Sequence, residues 1–325
     1  MKFEKIIDLK HWQKVQTIFS SLIGISLKTI GQNGELIAGP SNFPAICSET
    51  VAASAAAKKK CSQWYPKFAV NLKTQPFQKY YEYVCPLGLV NFAMPVIFDK
   101  EASGYLIAGP VVFENSKHDV HLTQKIQEAG IAEEKFFECF NKLPAVNTLT
   151  ISNAIEFLNS ITLFMSRFME LHSAVGKADI ALNKEKVAEL LRIFLDMAMK
   201  LCDAECGSVM VFEKSTQELS INDAKGLSDE VVSETKLKQG EGIAGLTIER
   251  RKSLFLNDQL SDREIRLRMH RPKIKSAFVI PVFYKNEILG VISVGTAKKP
   301  NRFCDNLMEL LNELVGMALE KFSLD

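Results

Sequence analysis

A chain of 325 residues is longer than one hydrophobic core usually supports, so two domains of about 150 residues each are expected. With 47% hydrophobic and 24% charged residues, the composition excludes disordered and collagen-like classes. A net charge of +2 gives no general attraction to nucleic acid or to a membrane surface. The opening stretch MKFEKIIDLKHWQ mixes acids and lysines with its apolar residues, and so lacks the apolar core of a signal peptide. No uncharged run reaches the roughly 18 residues that a membrane helix needs. A cytoplasmic location is expected, with no membrane partner and with the seven cysteines held mostly as thiols.

In chain order, Trp12, Val15, Phe19 and Leu22 fall at helical spacing after Leu9, and Gly24 stops that helix. Strands are predicted at 25–30 and 35–38, around an Asn33-Gly34 pair that suits a tight turn. Gly39-Pro40-Ser41-Asn42 reads as a break. Residues 43–71 read as helical, and Ser54 is the one plausible cap for a second helix within them. A strand at 80–85 and a hairpin at 91–112 complete a sheet of about five strands.

That hairpin is written twice. Pro95, Gly104 and Gly109 recur as Pro281, Gly290 and Gly295 at a constant offset of 186 residues. The offset is too long for a solenoid and points to two similar domains, each built on a central antiparallel hairpin. Between them, residues 117–145 read as two short helices or a helix and a loop. Ala154, Phe157, Ile161, Phe164, Phe168, Leu171 and Val175 then form a heptad seam, flanked by Ile155, Leu158, Met165 and Met169. Two readings stand: a helix folded back on its own domain, or a connecting helix that pairs two chains.

The second half begins with an amphipathic helix through Val187, Leu190, Leu191, Phe194, Leu195, Ala198 and Leu201. Strands follow at 207–212 and 220–224, and Gly240, Gly242 and Gly245 precede a short helix at 246–250. A strand at 254–257, the second hairpin and a last helix through Phe303, Leu307, Leu310, Leu311, Leu314 and Ala318 finish the chain. The fold class is α+β: two PAS/GAF-like domains, each a central antiparallel sheet flanked by helices, joined by a long helix. The boundaries are 1–145, a connecting and dimerising helix over 146–185, and 186–325.

Asp203-Ala204-Glu205-Cys206-Gly207-Ser208, Gly240 to Gly245, Leu256-Asn257-Asp258, Ile280-Pro281-Val282 and Ile288 to Ile292 together resemble a GAF domain. That resemblance implies a small-molecule sensing and dimerisation module. Pro40-Ser41-Asn42-Phe43, Cys47, Lys60-Cys61 and Cys85 to Pro95 resemble a PocR-type sensory domain, related to the PAS fold. It implies sensing of small metabolites, including simple hydrocarbon derivatives, in bacterial signalling. Pro44 stands where many relatives carry another cysteine, and Pro86 where many carry a histidine.

Cys47, Cys61 and Cys85 match that family pattern, and an aromatic group, Trp64, Tyr65, Phe68, Phe77, Tyr80, Tyr81 and Tyr83, brackets them. The candidate ligand-binding residues are Cys47, Cys61, Trp64, Tyr81, Tyr83 and Cys85. Aromatic rings with polar ends suit a pocket for a small amphiphilic molecule. Three soft ligands, Cys47, Cys61 and Cys85, suit an iron–sulfur cluster or zinc with a fourth ligand from elsewhere. Ordinary core packing is the third reading. In one unbroken helix Cys47 and Cys61 would lie about 21 Å apart, so convergence needs the break at Ser54.

Other features carry less. The glycines at 240–245 lack the Lys-Ser/Thr of a phosphate loop and read as a turn that starts a helix. Arg263, Arg266, Arg268, His270, Arg271, Lys273 and Lys275 read as a solvated face with no nucleic-acid pattern. Leu307-Met308 follows Phe303 where cyclic-nucleotide GAF domains carry an acidic pair. Cys202 and Cys206 read as packing, with thiol redox chemistry as the alternative. No histidine sits in a catalytic motif, so no enzyme is expected. The functional expectation is a cytoplasmic sensor that binds a small metabolite or metal centre and relays to the GAF domain and a downstream signalling protein. The partners are a small-molecule ligand, a second copy of the chain and that protein, with no nucleic acid. The alternatives are a thiol-dependent GAF-type reductase, akin to methionine sulfoxide reductases, and a ligand-free dimeric adaptor.

Overall fold

A computed structural model of the chain describes residues 8–76, 78–113, 120–175, 184–257, 265, 274–284 and 287–297. The chain divides into two units, Met1–Glu170 and Leu171–Asp325. In the first, helix α1 (Leu9–Ile23) starts at Asp8, whose carboxylate accepts the His11 N–H at 2.8 Å. Its Trp12, Val15 and Phe19 are fully buried against the sheet. Strands β1 (Leu27–Gly31) and β2 (Leu36–Ser41) follow. The predicted break at Gly39-Pro40 is corrected here, because β2 runs through it to Ser41. As β2 is an edge strand, a proline without an N–H costs no ladder bond there.

The helical stretch that follows is two pieces, a π-helical segment (Ile46–Val51) and α2 (Ala55–Thr74). Ser54 divides them as the sequence suggested: its Oγ accepts from Ala57 N at 3.1 Å and donates to the Ala129 carbonyl at 2.6 Å. Strands β3 (Tyr81–Val84), β4 (Val90–Phe98) and β5 (Glu101–Phe113) complete the path. Two short helices, α3 (Val120–Glu128) and α4 (Glu133–Phe140), and strand β6 (Ala145–Val146) lead into α5 (Thr148–Val175). The sheet has six strands in the order β2-β1-β5-β4-β3, with β6 parallel to the end of β5.

The predicted single helix across the seam is present as α5. Its Ile151, Ala154, Ile155, Leu158, Ile161 and Met165 are buried, while Leu163 is 57% exposed. Ser166 Oγ accepts the Ile97 N–H at 2.9 Å, which fastens α5 to β4. The side chains of Phe157, Phe164, Phe168 and Leu171 lie outside the described residues.

The second unit contains α6 (Lys184–Cys202), β7 (Cys206–Glu213), β8 (Glu218–Lys225), α7 (Asp229–Glu234), β9 (Lys236–Lys238), α8 (Gly242–Glu249) and β10 (Leu254–Asn257). It ends, among the described residues, with the hairpin β11 (Ser276–Tyr284) and β12 (Glu287–Thr296). Six and three residues long, α7 and β9 are too short to leave a period in the sequence and were not foreseen. The last predicted helix, Phe77 and most of the arginine-rich run fall outside the described residues.

Its sheet order is β10-β11-β12-β7-β8-β9, which repeats the first sheet's β3-β4-β5-β1-β2 and adds one strand. The register repeats as well. Pro95 pairs with Tyr105 and Val96 with Gly104 in one sheet, and Pro281 with Val291 and Val282 with Gly290 in the other. A side chain at Gly104 would strike the Ile30 carbonyl at 2.8 Å, and one at Gly290 the Met210 carbonyl at 2.1 Å. The repeated glycines therefore do the same work, letting the neighbouring strand close on the hairpin. No described helix is long and apolar enough to cross a membrane.

Candidate functional site

Strand alternation decides which side chains meet. Leu27 and Thr29 point toward α1, where Trp12 Nε1 donates to Thr29 Oγ1 at 2.7 Å and Thr29 Oγ1 donates to Gln16 Oε1 at 2.8 Å. Lys28 therefore turns to the other face, toward α2. Across the sheet it lies in one row with Ile107, Ala93 and Tyr81, and Tyr83 stands in the next row opposite Asn91. The face is roofed by α2, whose Phe68 and Leu72 share a buried cluster with Ile30, Ala93, Tyr105 and Ile107.

Trp64 stacks on Phe68 with ring centres 4.4 Å apart and on Tyr83 at 5.0 Å, and Phe68 meets Tyr83 at 4.1 Å. These rings form one rigid wall. Lys28 Nζ donates to the Tyr65 hydroxyl and lies 4.3 Å from the centre of its ring. Cys47 arrives from the π-helical segment, Cys61 from α2, and Cys85 from the turn after β3, where Cys85 N donates to Leu89 O at 2.8 Å. Lys28, Cys47, Cys61, Trp64, Tyr65, Tyr83 and Cys85 are all half-buried.

Burial pushes the Cys47 thiol up to about 12 and the Cys61 thiol up to about 11, and it raises Cys85 too. Burial also pulls the Lys28 ammonium down, against the smaller pull of Cys47, Cys85 and Cys61. Tyr65 and Tyr83 are held above the usual phenol range, again chiefly by burial, with contributions from Cys85 and Cys47. Six ionisable groups from four segments thus stand near enough to feel one another's charge. None of them is a carboxylate.

Among the described residues of the first unit, Tyr83 is the exception to a well-paired interior. Its hydroxyl is closed off from solvent and has no hydrogen-bond partner among the described residues. Such a group costs about 1–3 kcal/mol, and a native structure rarely keeps one without a use. Tyr81, by contrast, frames the row with its ring, but its hydroxyl is committed, donating to Pro76 O at 3.2 Å and accepting from Gln78 N at 3.3 Å. Among the described residues, no group of three or more histidine, cysteine, aspartate or glutamate side chains has the geometry to hold a metal ion. None of the described cysteines is joined in a disulfide.

Lys28 and Tyr65 were not among the residues singled out for binding from the sequence. A signal was present: Ile25-Ser26-Leu27-Lys28-Thr29-Ile30 puts a lysine on the same side as Ile30 in a strand with apolar residues on both faces.

The second unit has a cavity of about 300 Å3 at the corresponding place. Ser208 pairs with Ser293 and Ser293 with Val279, as Lys28 pairs with Ile107 and Ile107 with Ala93. All three residues of that second row line the cavity, together with Cys206, Leu237 and Ile243. Cys206 Sγ donates to Gly295 O at 3.6 Å, the contact of a protonated thiol. The glycine turn leads into α8, with Gly240 and Gly242 at φ 83° and 58°, but the helix begins at Gly242, ahead of the predicted 246, so Gly245 lies inside it.

Two family descriptions match the chain. A sensory domain found in PocR covers residues 5–169, and a GAF domain covers residues 184–318. No curated protein matches. Among solved structures, the chain is similar to the GAF domain of a phosphoenolpyruvate-protein phosphotransferase from Acinetobacter, at 18% identity over 50% of this chain and 96% of that one, TM-score 0.34. It is also similar to a free methionine-R-sulfoxide reductase from Neisseria meningitidis in complex with its substrate, at 14% identity over 50% and 89%, TM-score 0.35. A third is the A. Aeolicus nlh2 GAF domain in an inactive state, at 16% identity over 53% and 98%, TM-score 0.36.

Proposed function

Because the chain belongs to the family of the sensory domain found in PocR and carries a GAF domain behind it, we propose a non-enzymatic signal sensor that binds a small metabolite at the Lys28–Tyr83 cluster. The observation that carries this reading is the Tyr83 hydroxyl, shut away from water with no partner among the described residues, on a wall of stacked rings. A ligand at the cluster gives that hydroxyl its partner. Relay runs through β4: Ala93 sits in the site row, and Ile97 on the same strand is bonded to Ser166 of α5. Helix α5 runs on to Val175, past the end of the first unit at Glu170. Pairing of two chains along the Phe157–Phe164–Leu171 seam and a downstream protein that reads the change complete the proposal.

Native mass spectrometry of the full chain, with hydrogen exchange on the same sample, tests it. A bound small-molecule mass is expected, with its removal speeding exchange at 60–68 and 81–85. A protein that carries no mass and gains no protection there from any compound of a metabolite library is not a sensor at this site.

A further inference from the structure

We propose that the site in the first unit takes a small monocarboxylate with a short apolar body, its carboxylate held by Lys28 Nζ and the Tyr65 and Tyr83 hydroxyls, its body against Trp64 and Phe68. This rests on the sensor reading and narrows it to a ligand class.

The polar inventory of the site leads there. Lys28 offers three N–H donors, and one of them goes to Tyr65. Accepting from Lys28 leaves the Tyr65 hydroxyl with its own proton to give, and the Tyr83 hydroxyl is unused. The three thiols, protonated at neutral pH, add weak donors. Among the described residues Lys28 meets no carboxylate; the groups that face it are the Tyr65 phenol and the thiols of Cys47, Cys61 and Cys85. The site is thus rich in donors, holds one positive charge and lacks an anion to balance it.

A buried charge without a counter-ion is costly, and a ligand that brings the counter-ion removes that cost. The charge count selects a monoanion, since a phosphate near two negative charges would leave the excess unpaired among apolar rings. Shape selects a carboxylate, whose two oxygens can share the ammonium and the two phenols. A neutral alcohol or diol would leave Lys28 uncompensated. The repeated fold supplies an internal comparison. At the register position of Lys28 the second unit has Ser208, beside a cavity, so this row of the sheet is where the fold leaves room, and only the first unit places a charge on it.

The test is isothermal titration of the full chain at pH 7 with propionate, butyrate and benzoate, each against the amide of the same carbon skeleton and against 1-propanol. At least one carboxylate is expected to bind about tenfold or more tighter than its amide. Lys28→Met should erase that preference, and Tyr83→Phe should weaken the carboxylate by about tenfold while leaving the amide nearly unchanged. The carboxylate-to-amide ratio in the unaltered protein needs no variant, so a misfolded substitution cannot rescue or sink the idea. Equal binding of amide or alcohol, or a native ligand that proves neutral, overturns the carboxylate assignment and leaves the sensor reading standing. Failure of every compound together with an empty native spectrum overturns both.

Discussion

Replacing Tyr83 by phenylalanine should make the ligand-free protein more stable, against the usual direction for a substitution in a packed region. The ring stays in its stack with Trp64 and Phe68, so the apolar contacts are kept. What leaves is one hydroxyl that is closed from solvent and has no partner. Because burial holds the phenol well above its ordinary value of 10.0, it is neutral at any working pH and no charge is lost with it. The uncompensated desolvation of such a group is worth about 1–3 kcal/mol. For a unit running from Met1 to Glu170, an unfolding entropy of about 0.36 kcal/mol per kelvin turns that into a rise in Tm of about 3–8 °C. Scanning calorimetry of the full chain reads this as an upward shift of the first unit's transition. Saturating ligand should shrink or reverse the gain, since the hydroxyl then has a partner to lose. If Tyr83→Phe instead lowers stability by about 1 kcal/mol or more without ligand, the hydroxyl is already satisfied, and the site is not waiting for a ligand.

Iodoacetamide at pH 8 should modify Cys47 about 30-fold and Cys61 about tenfold more slowly than an ordinary thiol, the thiolate deficits of pKa values near 12 and 11 being partly offset by higher intrinsic nucleophilicity. Mass spectrometry of the labelled peptides checks it, and labelling at the rate of the unfolded chain refutes it. With folded values above the ordinary 9.0, these thiols hold protons in the native state that the unfolded chain releases, so stability should fall as pH rises from about 9 toward 12. Ser54→Ala removes the cap of α2 and the bond to the Ala129 carbonyl; guanidinium unfolding should show a loss of about 1–3 kcal/mol, and a loss under about 0.5 kcal/mol would contradict the capping role. Phe164→Glu should convert a dimer to monomers in sedimentation at micromolar concentration, and an unaltered protein that is already monomeric removes the pairing proposal.

Where the sequence spoke through a period or a fixed turn residue, it was legible: Gly24 ends α1, Ser54 divides the helices, and the Pro95–Gly104 and Pro281–Gly290 spacings mark two hairpins of one register. The break between the segment that carries Cys47 and the helix that carries Cys61 could be argued from Ser54. Lys28 escaped because a lysine in a strand is ordinarily read as solvent-facing. Its burial follows from α2 roofing that face, a contact no local pattern encodes. Tyr81 and Tyr83 show the same limit at finer scale. Two residues apart, they share a face by strand alternation, yet Pro76 O and Gln78 N tie up one hydroxyl while the other has no partner among the described residues.

The duplication makes the two sites comparable atom class by atom class. Both sheets carry the same strand order and the same hairpin register, so the rows Lys28–Ile107–Ala93 and Ser208–Ser293–Val279 are the same place in two copies of one design. In the second copy that row offers hydroxyls beside the Cys206 thiol, with Leu237 and Ile243 as apolar wall. Those groups both donate and accept, and they leave no charge to balance, which suits a neutral molecule. In the first copy the same row offers an ammonium and, two residues along β3, an idle phenol. On the sensor reading proposed above, the two rows suit ligands of different charge.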